Sequence, residues 1–215
     1  FLDDFAGMSE GLVELFEATG DARYLVEGRA LAEEALRRFW DDGAGMFYLT
    51  PPPAAADGGA PSRAELPERL PSVHDNAAPS GASSAVVACL RLHALTGEAR
   101  FGEVAERWLR RQRDEMLRNP FGFGHLLGAA WLAARGIEVV AVVGREGHER
   151  DALLEAARRR FRPEVIAFAS ADPSIEAIAG KGEVDGRPAA YVCRHFACES
   201  PRTEPKEVSD ALGLA

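Results

Sequence analysis

A histidine and an aspartate that stand side by side offer the strongest candidate chemistry in the sequence. His74 and Asp75 close a proline-rich stretch and are followed by Pro79 and Ser80. Proline and serine in this order are typical of a helix start, where unpaired N–H groups and the helix dipole favour negative charge. Asp75 could serve there as a base or bind a sugar hydroxyl, with His74 as acid or base and Ser80 as a substrate contact. Capping of the helix by Ser80 or Asp75 is the simpler alternative, and the sequence favours it.

Two further aspartates begin the first predicted helix. If the helix starts that carry Asp4 and Asp75 lie at the same opening of a cavity, the two carboxylates could form an acid and base pair of the glycosidase type. Asp3 and Asp4 would also suit a helix N-terminus simply because they are negative, and the sequence favours this explanation. Asp4, His74 and Asp75 are nevertheless the candidate catalytic residues. His125 is the other histidine that could meet a carboxylate, although it could equally pack at a helix start.

Two aromatic residues are candidates for binding a sugar ring. Phe47 and Tyr48 follow a glycine-rich turn and are predicted to lie outside the helices, in a short strand. The three tryptophans stand in or beside helical patterns, where aromatic residues more often belong to the core. We therefore predict that Phe47 and Tyr48 are exposed and bind substrate together with Ser80.

The cysteines leave three possibilities open. Cys193 and Cys198 flank His195, so a strand that turns back could join the two sulfurs as a disulfide or present them as metal ligands. A structural zinc site needs four ligands, and only three candidates lie here. The sequence slightly favours two unpaired thiols in a reducing compartment. We expect no metal and no cofactor, since the Gly144–His148 turn also lacks a nucleotide-binding spacing.

Composition narrows the class of protein. The chain has 215 residues, of which 47% are hydrophobic and 27% charged, and this balance excludes a disordered chain. A net charge of −9 argues against a nucleic-acid partner. The apolar stretch Ile137–Val143 is far too short to cross a membrane. Three cysteines exclude a disulfide scaffold, and we expect a cytoplasmic protein.

The pattern of the first 135 residues predicts helices and contains an internal repeat. Thr19-Gly20-Asp21 and Thr96-Gly97-Glu98 form matching junctions, each followed by Ala-Arg and an aromatic residue. Each glycine is predicted to end a helix, and Asp21 can cap the next one. Such repeats are typical of stacked helical hairpins, which bury their faces only against neighbouring hairpins. Two and a half hairpins do not close a structure, so we expect a piece of a longer protein. A proline-rich loop is predicted between residues 50 and 76.

The remaining residues, 136–215, predict a small α/β extension. An apolar strand over 137–144, an amphipathic helix over 148–161 and a second apolar strand over 165–169 form a βαβ unit with a parallel pair. A third strand is predicted over 189–193 and a closing helix over 206–214. The predicted domains are therefore 1–135 and 136–215.

Several motifs, in one order along nearly the whole chain, resemble a known family. They are Asp3-Asp4-Phe5-Ala6, the junction over residues 17–21, Phe39-Trp40-Asp41, residues 45–48, residues 75–81, and Tyr191-Val192-Cys193 with Cys198 and Pro201. They resemble the large thioredoxin-domain-containing proteins related to spermatogenesis-associated protein 20, called YyaL-like in bacteria. One departure is Ala82, where relatives usually carry asparagine. If that amide contacts a ligand, binding is weakened here.

The resemblance implies an N-terminal thioredoxin-like domain followed by an (α/α)6 toroid, as in six-hairpin glycosidases and N-acylglucosamine 2-epimerases. This chain then corresponds to the last hairpins of the toroid and its C-terminal α/β extension. The implied function is binding of, or action on, a carbohydrate. The alternative is a non-catalytic helical scaffold that supports the thioredoxin-like domain and protein partners. The expected partners are a carbohydrate, the missing N-terminal part of the protein, or a second copy of this chain. Whether the chain is an enzyme stays open.

Overall fold

The computed structural model describes residues 1–52 and 69–213. Within this part, a helical region comes first and a small sheet follows. The proline-rich loop predicted over 50–76 falls largely on positions 53–68, which lie outside the described residues. The α-helices of the first region are α1 (Leu2–Thr19), α2 (Ala22–Phe39), α3 (Gly81–Thr96), α4 (Ala99–Arg118) and α5 (Gly124–Arg135). A short hairpin of β1 (Trp40–Asp41) and β2 (Met46–Phe47) follows α2.

Helix α3 lies at the centre of the helical region. Every residue from position 80 to position 89 is buried, and most of these residues are small or apolar. A helix that is buried on all sides needs neighbours around it, and α3 packs against α1, α4 and α5 and, less extensively, α2. The most continuously buried helix of this region therefore lies in the middle of the other helices.

The two predicted junctions have the same geometry. Gly20 ends α1 and Gly97 ends α3, each in the left-handed conformation with φ of 72° and 76°. Glycine is preferred at this position because it has no Cβ to clash. After Gly20, the Asp21 side chain accepts a hydrogen bond from the Arg23 N–H (3.0 Å) and caps α2 as predicted. The repeat in the sequence is thus a repeat in the structure.

The first and third helices run in the same direction. At their N-terminal ends, Asp3 of α1 contacts the first residue of α3. At their C-terminal ends, Gly20 lies against Ala169 and Gly97 lies near Phe196, and both of these partners belong to the sheet region. The candidate residues at the helix starts are therefore at the end of the helices that lies away from the sheet.

The second region is a four-stranded sheet with the order β4-β3-β5-β6. Its strands are β3 (Glu138–Val143), β4 (Val165–Ser170), β5 (Ala189–Arg194) and β6 (Ala197–Cys198). Strands β3 and β4 are parallel and connected through α6 (His148–Arg158), which confirms the predicted βαβ unit. Alternate strand residues face opposite ways. One face packs on the helical region, and the other is covered by α6 and α7 (Pro205–Ala211).

The hydrophobic core is continuous across position 135. Val139, Ala141, Ile166 and Phe168 of the sheet belong to the same cluster of buried residues as the helices. The Phe16 and Phe168 rings meet with centroids 4.7 Å apart. The helical and α/β regions are therefore packed on one another. The prediction of a mostly helical chain with a small α/β part is confirmed, whereas the closed toroid stays a prediction. Among the described helices, none has the length and apolar character needed to cross a bilayer.

The cysteine pair corrects one prediction. Cys193 and Cys198 are directly opposed in the antiparallel pair of β5 and β6, and their sulfurs form a disulfide. The preference for two unpaired thiols is therefore wrong. The reason is that the chain turns within the four residues between them, which brings the two Cα atoms to 3.9 Å. The third cysteine, Cys89, is free and buried in α3.

Candidate functional site

Asp75 lies where α3 and α5 begin, and its carboxylate joins the two helices. Oδ1 accepts a hydrogen bond from the Ser80 N–H (2.9 Å). Oδ2 accepts hydrogen bonds from the N–H groups of His125 (2.8 Å) and Leu126 (3.2 Å). The N–H groups at a helix start have no partner within the helix. A single aspartate therefore caps two helices at once.

These hydrogen bonds keep the Asp75 carboxyl ionised. Burial by itself would raise its pKa, because it disfavours the charged form. Hydrogen bonds from Ser80, Ser83, Leu126 and His125 outweigh burial and bring the pKa below its ordinary value of 3.8. A carboxyl group in this state is an acceptor at neutral pH and has no proton to give.

Asp3 performs a similar role from a different helix. Its Oδ1 accepts a hydrogen bond from the Gly81 N–H at 2.6 Å. A Cβ at position 81 would approach the Asp3 backbone N to 2.8 Å, so glycine permits this close contact. The Ser80 hydroxyl accepts a hydrogen bond from the Ser83 N–H (3.2 Å) and is the N-cap of α3. The Ser80 hydroxyl, predicted as a substrate contact, is therefore used as a helix cap.

The three residues predicted to be catalytic are not brought into contact. The Asp4 carboxylate is exposed in the first turn of α1. The His74 side chain is exposed, and its ring lies against Phe123 with centroids 5.1 Å apart. In the part of the chain that the structure describes, no hydrogen bond or ion pair joins Asp4, His74 and the Asp75 carboxylate.

The aromatic candidates differ from one another. Phe47 is fully buried, with its ring against Trp40 (4.7 Å between centroids) and Trp108 (5.4 Å). The prediction that it is exposed is wrong because strand pairing of Phe47 with Trp40 turns both rings into the core. Tyr48 is partly exposed, and the Arg69 guanidinium lies 4.1 Å from its ring centroid. Ala82 in α3 is fully buried.

A histidine–carboxylate pair lies beside this helix start. His125 Nε2 is 2.9 Å from Glu10 Oε1, and the Glu10 side chain is only 14% exposed. The hydrogen bond to Glu10 raises the pKa of His125, and the nearby charges of Glu10, Asp75 and Glu14 act in the same direction against burial. His125 was a candidate from the sequence, whereas Glu10 was not predicted. Glu10 stands seven residues after Asp3, two helical turns along the same face of α1, and that spacing was the available signal.

The pair makes stability depend on pH. Because the folded pKa of His125 is raised above 6.5, its stabilisation is fully present below pH 6.5 and is lost as pH rises through the folded pKa. We expect a contribution of about 0.5–1 kcal/mol to the free energy of unfolding, as for partly exposed ion pairs. Urea unfolding of the wild type and Glu10→Gln across this pH range measures it. An unchanged pH dependence in Glu10→Gln would contradict the assignment.

The similarity of this chain to known proteins indicates the family to which it is related. No protein-family model matches the chain. Spermatogenesis-associated protein 20 of Homo sapiens, Rattus norvegicus and Mus musculus is in each case 26% identical over 220 residues. The matches cover 99% of this chain, and the chain spans 27% of the length of these relatives. The resemblance seen in the motifs is therefore confirmed, and over nearly its whole length the chain is a relative of spermatogenesis-associated protein 20.

Proposed function

We propose that this chain is a non-catalytic helical scaffold within a longer protein, where it supports a thioredoxin-like domain and contacts a protein partner. The observation that carries this proposal is the use made of the carboxylates at the helix starts. Asp75 accepts three backbone hydrogen bonds, and Asp3 accepts one. They hold α1, α3 and α5 together at one end.

The electrostatics of Asp75 support a structural role. A general acid or base works best when its pKa lies near the operating pH. The pKa of Asp75 is moved in the opposite direction, below 3.8, because hydrogen bonds outweigh burial. A proton donated or accepted at Asp75 would cost the hydrogen bonds that join α3 to α5.

Exposed apolar side chains support contact with a partner. Met8 and Leu15 of α1 are exposed, seven residues apart and on one face, and Leu127 and Trp131 of α5 are exposed four residues apart. Exposed apolar patches often mark protein interfaces. The partner is the remainder of the longer protein or a second copy of this chain. A toroid of six hairpins remains the proposed fold of that longer protein, and the shared starting point of α1, α3 and α5 supports it.

Carbohydrate binding or turnover is the second candidate, and the His125–Glu10 pair favours it. A histidine within hydrogen-bonding distance of a carboxylate is a suitable acid–base group, and a raised pKa brings it closer to neutral pH. Under this second candidate function, the catalytic residues would be His125 and Glu10 in place of Asp4, His74 and Asp75.

One titration separates the two candidates. The chain is labelled for NMR and titrated with a panel of monosaccharides and disaccharides. The scaffold role predicts no saturable shifts at Glu10 and His125, whereas the second candidate predicts saturable shifts that Glu10→Gln abolishes.

The scaffold role also predicts self-association or binding to the remainder of the protein. Analytical sedimentation measures this association, which the double variant Leu15→Gln, Trp131→Gln should weaken. The scaffold proposal would be overturned if the chain stays monomeric, does not bind the remainder of the longer protein and binds a sugar.

A further inference from the structure

A cavity of about 340 Å³ lies at the opposite end of the helices from the candidate site. It is enclosed by the C-terminal ends of α3 and α5, the sheet, and the turn between β5 and β6. Leu90, Leu132 and Ile137 give it apolar walls, and Lys181 is a basic residue of its lining. The volume lies at the lower end of the range typical of small-molecule sites, about 300–1,000 Å³.

Within the described part of the chain, the Lys181 ammonium has no anionic partner. Its nitrogen lies 5.9 Å from the centroid of the Tyr191 ring, and among the described residues no carboxylate forms an ion pair with it. Glu176, which also lines the cavity, is paired with Arg29 at 3.3 Å. Burial lowers the pKa of Lys181, as expected for an ammonium group without a counter-charge.

The backbone next to Lys181 is held by Tyr191. The Tyr191 hydroxyl donates a hydrogen bond to the Gly182 carbonyl (2.7 Å) and accepts one from the Gly182 N–H (3.2 Å). Tyr191 belongs to β5, so these bonds hold the backbone next to Lys181 on the sheet. On the other side, the Phe196 ring lies edge-on against His93 with centroids 5.1 Å apart. The disulfide of Cys193 and Cys198 closes the turn that carries Phe196.

We propose that this cavity binds a small organic carboxylate with an apolar chain or ring. The carboxylate pairs with Lys181, and the apolar part packs against Leu90, Leu132 and Ile137. The ends of α3 and α5 fix this orientation, since the last carbonyl groups of a helix carry partial negative charge and repel a carboxylate. An ion pair with the carboxylate supplies the counter-charge that no described carboxylate provides to Lys181.

The sequence permits a direct test because Lys181 and Lys206 are its two lysines. Reductive methylation with ¹³C-formaldehyde keeps their charge and gives each an NMR signal. Octanoate is the probe, and octan-1-ol is the matched uncharged control. We expect octanoate to shift the Lys181 signal saturably, to raise the pKa of Lys181, and to leave Lys206 unchanged.

Variants test the charge itself. Lys181→Met is expected to weaken octanoate binding about tenfold or more, as for loss of a charge-assisted hydrogen bond, and to leave octan-1-ol binding unchanged. Lys181→Arg keeps the charge and should retain the preference for octanoate, and Lys206→Met should behave as the wild type. The proposal is overturned if octanoate shows no saturable binding. Equal binding of octanoate to Lys181→Met and wild type, or of octanoate and octan-1-ol to the wild type, would also overturn it.

Discussion

Replacing Asp75 by alanine is expected to lower the free energy of unfolding by about 3–4 kcal/mol, as for loss of several charge-assisted hydrogen bonds at two helix caps. The change removes the acceptor of the Ser80, His125 and Leu126 N–H groups. Since the same carboxylate serves α3 and α5, both helices lose a cap and the link between them. Urea unfolding followed by circular dichroism measures the effect.

Two matched variants show whether the cost comes from the double cap. Asp75→Asn keeps one carbonyl oxygen and should lie between wild type and Asp75→Ala. Asp3→Ala removes one hydrogen bond, from Gly81, and should cost about 1–2 kcal/mol, in the range of a single helix cap. If Asp75→Ala costs no more than Asp3→Ala, Asp75 does not join the two helices.

Gly20→Ala is expected to be the other strongly destabilising change, at about 2–5 kcal/mol for a left-handed residue combined with overpacking. Gly20 has φ of 72°, and a Cβ there would overlap the carbonyl oxygen of Ala169 in β4. The end of α1 would have to move away from the sheet to make room. Because Phe16 of α1 contacts Phe168 next to Ala169, this movement disturbs the core shared by helices and sheet.

The repeat supplies the control for this prediction. Gly97 ends α3 with φ of 76°, but the nearest atom that its Cβ would meet is a Phe196 ring carbon at 3.8 Å. Gly97→Ala therefore carries only the cost of the left-handed conformation, about 1–2 kcal/mol. The excess for Gly20→Ala reports the close approach to Ala169. Equal losses in the melting temperatures of the two variants would show that the sheet does not press on Gly20.

The sequence predicted well those features that depend on local pattern. Gly20 and Gly97 end their helices, and Asp21 caps α2, because these positions need a particular backbone conformation or acceptor whatever surrounds them. The βαβ unit followed from the change in hydrophobic period after residue 136. The relatives matched over nearly the whole chain belong to the family that the motifs indicated.

Features that depend on distant partners were not predictable in the same way. The burial of Phe47 depends on Trp108, which is far away in the sequence, and the pairing of His125 depends on Glu10. The sequence indicated Asp75 as a possible helix cap. Its link to α5 depends on the folded chain bringing the start of α5 next to Asp75, which no local pattern shows. A polar residue at a helix start has the same local pattern whether its charge is used structurally or chemically.

The pKa of Asp75 tests the central claim most directly. Titration of the chain by carboxyl ¹³C NMR gives it, and the amide signals of Ser80, His125 and Leu126 should report the same protonation. The structural role predicts a pKa below 3.8, because hydrogen bonds to the carboxylate outweigh its burial. A pKa above the ordinary value, raised toward neutral pH, would contradict this account and return Asp75 to the candidates for acid–base catalysis.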